Sequence, residues 1–245
     1  GDAAESHPKV VRDVAAAGHE VGCHSLHHET VGESLFPIPG IYPLLPHEVK
    51  PRIELATRMV EEALGEKVLS FRSPRLFGGM NVVNALEDLG YIADASYPMY
   101  FYADRLPYHP SREDWTKEGD LRLVEIPNLA DMSIASRDEY GRDRDTWPLF
   151  RTESAEALLE HVDAFVEYVR PRSDKVCLCF YFHPWEFWDM PQGPIHYGEG
   201  AVIPDPFLVK GCGHYAVEQF GLFADAMKDR GAEFLTARQT AERFN

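Results

Sequence analysis

Between residues 7 and 93, helical and strand-like stretches alternate, and this alternation limits the fold more than any other feature of the chain. Residues 7–17 have helical spacing: Pro8 suits a first turn, Val10, Val11 and Val14 form an apolar face, and Gly18 stops it. Residues 20–23 form a short strand that runs into a histidine-rich turn. Residues 48–64 repeat the helical period, with Ile53, Leu55, Ala56, Met59, Val60 and Leu64 inward and Gly65 as the stop. A buried strand follows at 68–72, a helix at 80–89 closed by Gly90, and another strand at 91–93. Strands joined through helices by short connections pair in parallel, so an α/β domain is expected.

The rest of the chain is less regular. Residues 32–46 carry four prolines (Pro37, Pro39, Pro43 and Pro46) and form an irregular loop. Residues 98–150 are rich in proline and charge, with only 121–126 strand-like, and are expected to be a long insertion over one face of the sheet. Residues 154–169 form an amphipathic helix with Ser154 as its N-cap. The wholly apolar run 176–182 suits a central, fully buried strand. A second long loop spans 184–213, residues 215–230 form the last long helix, and 234–236 a closing strand with a helical turn after it. The 245 residues fit a single domain with these two insertions.

Composition excludes several function classes. Forty acidic residues against 24 basic ones give a formal charge of −16. A nucleic-acid surface needs a basic stripe to displace counterions, so no nucleic-acid partner is expected, and anionic membranes are disfavoured for the same reason. No apolar run reaches the roughly 18 residues of a membrane helix. Cys23, Cys177, Cys179 and Cys212 show neither a paired C-x-x-C spacing nor a disulfide framework. They are expected to be small buried hydrophobes in a reducing, cytoplasm-like compartment. The chain opens Gly1-Asp2 without Met and enters a helix almost at once, so a trimmed piece of a longer protein is expected.

The chemistry concentrates at Gly18-His19-Glu20-Val21-Gly22-Cys23-His24-Ser25-Leu26-His27-His28-Glu29, where four of the eleven histidines fall within ten residues. His24 and His28 are four apart, which on a helical turn puts both imidazoles on one face. Two convergent neutral imidazoles are the usual beginning of a divalent-metal site, whereas histidines of a polar loop bind nothing. His27 lies about 100° round a helix from His28 and is the poorer partner. Ser25 is placed to hold the turn through its hydroxyl.

The pattern G-H-E-V-G-x-H-S-x-x-H resembles the second motif of the polysaccharide deacetylases, the family that shares the NodB homology domain. Three further stretches follow in that family's order. Phe71-Arg72-Ser73-Pro74 is similar to its R-x-P motif, and Gly90-Tyr91-Ile92-Ala93-Asp94-Ala95-Ser96 to the G-Y-x-x-D-x-S stretch of its divergent branches. Phe182-His183-Pro184-Trp185-Glu186 resembles the motif that presents the catalytic histidine.

This resemblance implies a distorted (β/α) barrel, lacking its first strand, with the site at the strand ends. It implies that His24 and His28 hold a divalent metal, zinc being expected, and that His183 is the general acid. Arg72 would steer the catalytic base, and a backbone N–H near Pro74 would stabilise the oxyanion. Tyr181 stands where the family usually has a leucine lining the acetyl pocket, and Trp185 suits stacking on a sugar ring. The family's first motif, two aspartates that act as base and third ligand, has no counterpart here. The implied activity is hydrolysis of an N-acetyl or O-acetyl group on a sugar or oligosaccharide. Its alternatives are amide hydrolysis on a small cyclic substrate and non-catalytic carbohydrate binding. An open sheet edge leaves a homo-oligomer possible.

Overall fold

The computed structural model describes residues 1–103 and 106–244; residues 104 and 105, inside the 98–150 insertion, and residue 245 lie outside the described residues. Two short helices, α1 (Asp2–Ser6) and α2 (Pro8–Ala16), precede the long α3 (Pro46–Leu64). The chain sets both ends of α3. Pro46 occupies its first turn, the Glu48 carboxylate accepts the Leu45 N–H at 3.0 Å, and Gly65 closes the helix in the left-handed region with φ 85°. Its buried stripe of Val49, Ile53, Ala56, Val60 and Ala63 faces α4 (Met80–Leu89), which Gly90 ends in the same way.

The short strands form a parallel sheet. β1 (Ser70–Phe71) pairs with β2 (Ala93–Asp94), and β2 with β3 (Val124–Glu125), Phe71 standing opposite Asp94 and Asp94 opposite Glu125. Single parallel bridges extend the array, Cys23 to Phe71 on one side and Asn128 to Cys179 on the other. The ribbons therefore run in space in the order 23, β1, β2, β3 with 128, and 179. Helices α5 (Leu149–Thr152), α6 (Ala155–Val169) and α8 (His214–Asp229) form a second apolar core with Phe180 and Phe182. Ser154 caps α6 as expected, its hydroxyl accepting the Ala157 N–H at 3.2 Å. The last helix, α9 (Ala237–Phe244), packs on β2 and β3 through Ala241. The 184–213 loop holds a hairpin of β4 (Ile195–His196) and β5 (Ala201–Val202), then α7 (Pro206–Val209). Among the described residues no helix is long and apolar enough to cross a membrane.

Three expectations are corrected. Residues 176–182 do not form a buried central strand: they touch the array at Cys179, and Val176 is 39% exposed. Residues 234–236 form no strand, and Phe234 is 58% exposed. A cavity of about 860 Å³ opens between these two segments. Apolar composition drives burial, but a ladder also needs a neighbour at hydrogen-bonding distance, and composition says nothing of that. The apolar face of α2 is likewise covered only in part: Val11 packs on the core, while Val10 is 59% and Val14 40% exposed.

Candidate active site

The ribbon ends open into a cavity of about 1080 Å³, walled by the histidine turn, the segment after β1, the 181–184 stretch, and Arg142, Asp145 and Trp147 of the insertion. His24, His28 and His183 all line it, close enough for a positive charge on one to oppose charging of the others. Arg72 and Tyr181 line it too.

His24 and His28 meet, but not on a helical turn. Residues 24–28 form a bend in which Ser25 and His28 both take φ 62°, and the two rings lie 5.1 Å apart edge to face. Left-handed backbone at non-glycine residues costs about 1–3 kcal/mol each and gathers where function demands a shape. The other positive-φ non-glycine residues among those described, Arg75 and Leu76, lie in the turn opposite, on the same cavity. Glu29 ties the histidine turn, accepting from the Ser25 hydroxyl (3.1 Å) and from the backbone N–H of His27 (2.6 Å) and Leu26 (3.4 Å). Burial pushes Glu29 up, yet these donors hold it below its ordinary range. His27 turns instead beside Asp2.

The His24 Nδ1 lies 2.6 Å from the Arg72 carbonyl oxygen. A carbonyl only accepts, so Nδ1 carries the proton and Nε2 keeps its lone pair. Burial lowers the His24 pKa to about 4, which keeps the ring neutral at pH 7. Burial lowers His28 as well, with Arg75 the next cause. The pair thus supplies two nitrogen donors of the kind a divalent ion takes. A catalytic zinc has three protein ligands. Among the described residues no group of three His, Cys, Asp or Glu is close enough together to hold a metal ion, so the donors fit such an ion only in part.

Arg72 donates to Ala95 O (3.0 Å), to Phe180 O (3.3 Å) and to Cys179 Sγ (3.2 Å), and so laces together three ribbon ends. Among the described residues no carboxylate lies within ion-pair distance of it. Pro74 opens the short 3-10 turn Pro74–Leu76 and is buried beneath the cavity, whose lining at this point is Ser73, Arg75 and Leu76. Asp94 and Ser96 brace that segment. The Ser96 hydroxyl donates to Asp94 Oδ1 at 2.5 Å and accepts the Ser73 N–H at 2.8 Å.

His183 is held by Glu186, three residues on. Glu186 Oε1 accepts from the His183 backbone N–H (2.7 Å), from His183 Nδ1 (2.9 Å) and from Trp147 Nε1 (2.9 Å), while Oε2 accepts from Arg151 Nε at 2.5 Å. Arg151 and Glu186 are both fully buried. Burial alone would raise Glu186, but its donors keep it below the usual carboxylate range, so it stays charged. A carboxylate cannot donate, so Nδ1 of His183 is protonated and Nε2 is the free ring nitrogen. Trp185 stacks on His183 at 5.2 Å and 26°, with the Arg151 guanidinium on its own ring, and backs the histidine rather than lining the cavity. Tyr181 faces the cavity, stacks on Trp147 at 5.7 Å, and donates to Asp145 Oδ2 at 2.6 Å.

Glu186, Arg151, Trp147 and Asp145 are absent from the residues that sequence reasoning singled out. Glu186 had a signal: His-Pro-x-Glu has the spacing of a capping box, and the structure forms one. Asp145 and Trp147 come from the insertion and Arg151 from the short helix α5 just after it, where no periodicity marks them.

Residues 1–93 match the family model described as polysaccharide deacetylase. No curated protein matches the chain. Among solved structures, a probable polysaccharide deacetylase from Pseudomonas aeruginosa PAO1 superposes over 99% of this chain and 64% of its own, with a TM-score of 0.59 at 14% identity. The Puue allantoinase does so over 98% and 64%, with 0.59 at 16%. A GH57 branching enzyme from the archaeon Thermococcus kodakaraensis follows over 97% and 49%, with 0.52 at 13%. The chain thus spans less than two thirds of the length of each, and at these identities the likeness is one of fold, a distorted α/β barrel. The family match is thus confined to residues 1–93, where the chain is similar to the polysaccharide deacetylases, while the likeness of fold extends over nearly its whole length.

Proposed function

We propose that this chain carries the site of a hydrolase that removes an acetyl group from an N-acetylated sugar, or less readily an O-acetylated one. A divalent metal, zinc by the character of its donors, would sit on His24 and His28. The observation that carries this reading is the convergence of His24, His28 and His183 on one cavity, with the Nδ1 proton of His24 and of His183 each committed to an acceptor. Both rings are thereby turned with Nε2 available. A metal bound there supplies Lewis acidity toward the acetyl carbonyl and acidity to a bound water. His183 Nε2, once protonated, delivers a proton to the departing amine nitrogen, and the Glu186 carboxylate holds the resulting change of charge on the ring. Arg72 keeps the ribbon ends at the spacing this geometry needs. Because two imidazoles are an incomplete ligand set, metal affinity of this chain by itself is expected to be weak.

The amide alternative has the same fold in its support, through the likeness to the Puue allantoinase. The cavity of about 1080 Å³ stands at the upper end of small-molecule sites, roughly 300–1,000 Å³, and has room for a sugar ring. Acetate release from N-acetylated chito-oligomers with added Zn²⁺ tests the proposal. No acetate from the metal-loaded protein would reject the deacetylase reading, and the non-catalytic binder would then be the better account.

A further inference from the structure

The wall beside His183 carries a carboxylate that the hydrolytic steps above do not use. Asp145 is fastened at both oxygens: Oδ2 accepts the Tyr181 hydroxyl at 2.6 Å, and Oδ1 accepts the Trp147 N–H at 3.0 Å. Among the described residues no Lys, Arg or His lies within ion-pair distance of it. Arg142, whose charge acts on it, has its guanidinium 4.8 Å over the Phe36 ring. Asp145 is half-buried, and a carboxylate largely removed from water without a cation is costly to hold charged. Burial accordingly raises Asp145 to about 6. The fold tolerates that cost on a surface that faces the cavity.

The surroundings say what it reads. Trp147 stacks on Tyr181 and meets His183 edge to face at 5.2 Å, so a ring lying on this wall touches Asp145 and the acid together. The rest of the polar lining is donor-rich, with Arg72, Arg75 and the histidines; the other lining carboxylate, Glu20, accepts the Arg238 N–H. Each carboxylate oxygen retains lone pairs beyond its one donor. We infer that Asp145 is a specificity-determining residue, accepting a hydrogen bond from a hydroxyl or N–H of a neutral sugar ring that packs against Trp147 and Tyr181. A ring bearing an anionic substituent on that face is excluded by charge. This rests on the sugar-substrate reading above and adds the recognition element to it.

The test measures binding of neutral N,N′,N″-triacetylchitotriose by calorimetry, and KM and kcat for acetate release, in the wild type, Asp145→Asn and Tyr181→Phe. Melting curves establish that each variant folds. Asp145→Asn is expected to raise Kd and KM about tenfold or more with kcat within about threefold, the signature of lost binding rather than lost chemistry. Tyr181→Phe, which removes a holder of the carboxylate, is expected to raise both about threefold. A folded Asp145→Asn that binds like the wild type overturns the inference; if that variant does not fold, wild-type binding by Tyr181→Phe does so. A wild type that fails to bind the trimer overturns it as well. Asp145-dependent binding without acetate release supports it while rejecting the hydrolase reading, so the two fail separately.

Discussion

At the scale of single residues, the site is a matter of which ring nitrogens are free. His24 Nδ1–H donates a hydrogen bond to the Arg72 carbonyl and His183 Nδ1–H to the Glu186 carboxylate, so each presents Nε2 by default. His24→Ala or His28→Ala is expected to abolish what zinc binding the chain has, since one imidazole cannot replace two. Zinc titration by calorimetry reads this, and a variant that binds zinc like the wild type rejects the pair as ligands. His183→Ala is expected to lower turnover about 10²–10⁴-fold with zinc binding unchanged. Glu186→Gln keeps the shape but not the charge and should lower turnover about tenfold or more, because the imidazolium loses its counter-charge. Equal rates for wild type and Glu186→Gln would make Glu186 a packing residue only.

At the scale of elements, the sheet carries its own acid pair. Glu125 Oε1 on β3 accepts the backbone N–H of Ser96 (3.0 Å) and Tyr97 (2.8 Å), while Glu125 Oε2 and Asp94 Oδ2 are buried with no donor of their own. Burial pushes both groups up, Asp94 to about 6 and Glu125 well above the ordinary carboxylate range, and the pair's mutual repulsion adds to the rise of Glu125. A proton shared between them satisfies both free oxygens. Because the folded-state pKa values lie above the unfolded ones, this stabilisation is complete below about pH 4 and is lost as pH rises through about 6 and beyond. Glu125→Gln has a permanent donor in the same place. Its melting temperature is therefore expected to gain on that of the wild type between pH 5 and pH 8. A constant difference over that range would mean that no proton is shared.

At the scale of the whole molecule, order is uneven across the sheet. β1, β2 and β3 have neighbours on both sides, and their side chains are buried. Residues 176–182 and 232–236 flank the cavity of about 860 Å³ and are largely half-buried or exposed. Local opening follows the density of contacts and paired amides. Amide hydrogen exchange is thus expected to be fast in these two segments and slowest in the three strands. Protection of 176–182 equal to that of β2 would show that this seam is closed in solution.

Much of this was legible in the sequence. Pro46, Glu48 and Gly65 delimit α3, Gly90 ends α4, and Ser154 caps α6, because caps and stops act within a few residues and leave local marks. His24, His28 and His183 were singled out for another reason, as each stands in a short stretch that resembles a family motif and the stretches follow in that family's order. What only the tertiary structure decided are contacts between distant segments. The His24–His28 pair meets through a left-handed bend rather than a helix, and residues 176–182 border a cavity although their composition calls for a core. Asp145 and Trp147 reach the site from an insertion without periodicity, and Arg151 from the short helix that follows it. Their positions depend on where a long connection returns to the sheet, and that is settled by packing and by the pairing of buried polar groups, neither of which leaves a local trace in the order of residues.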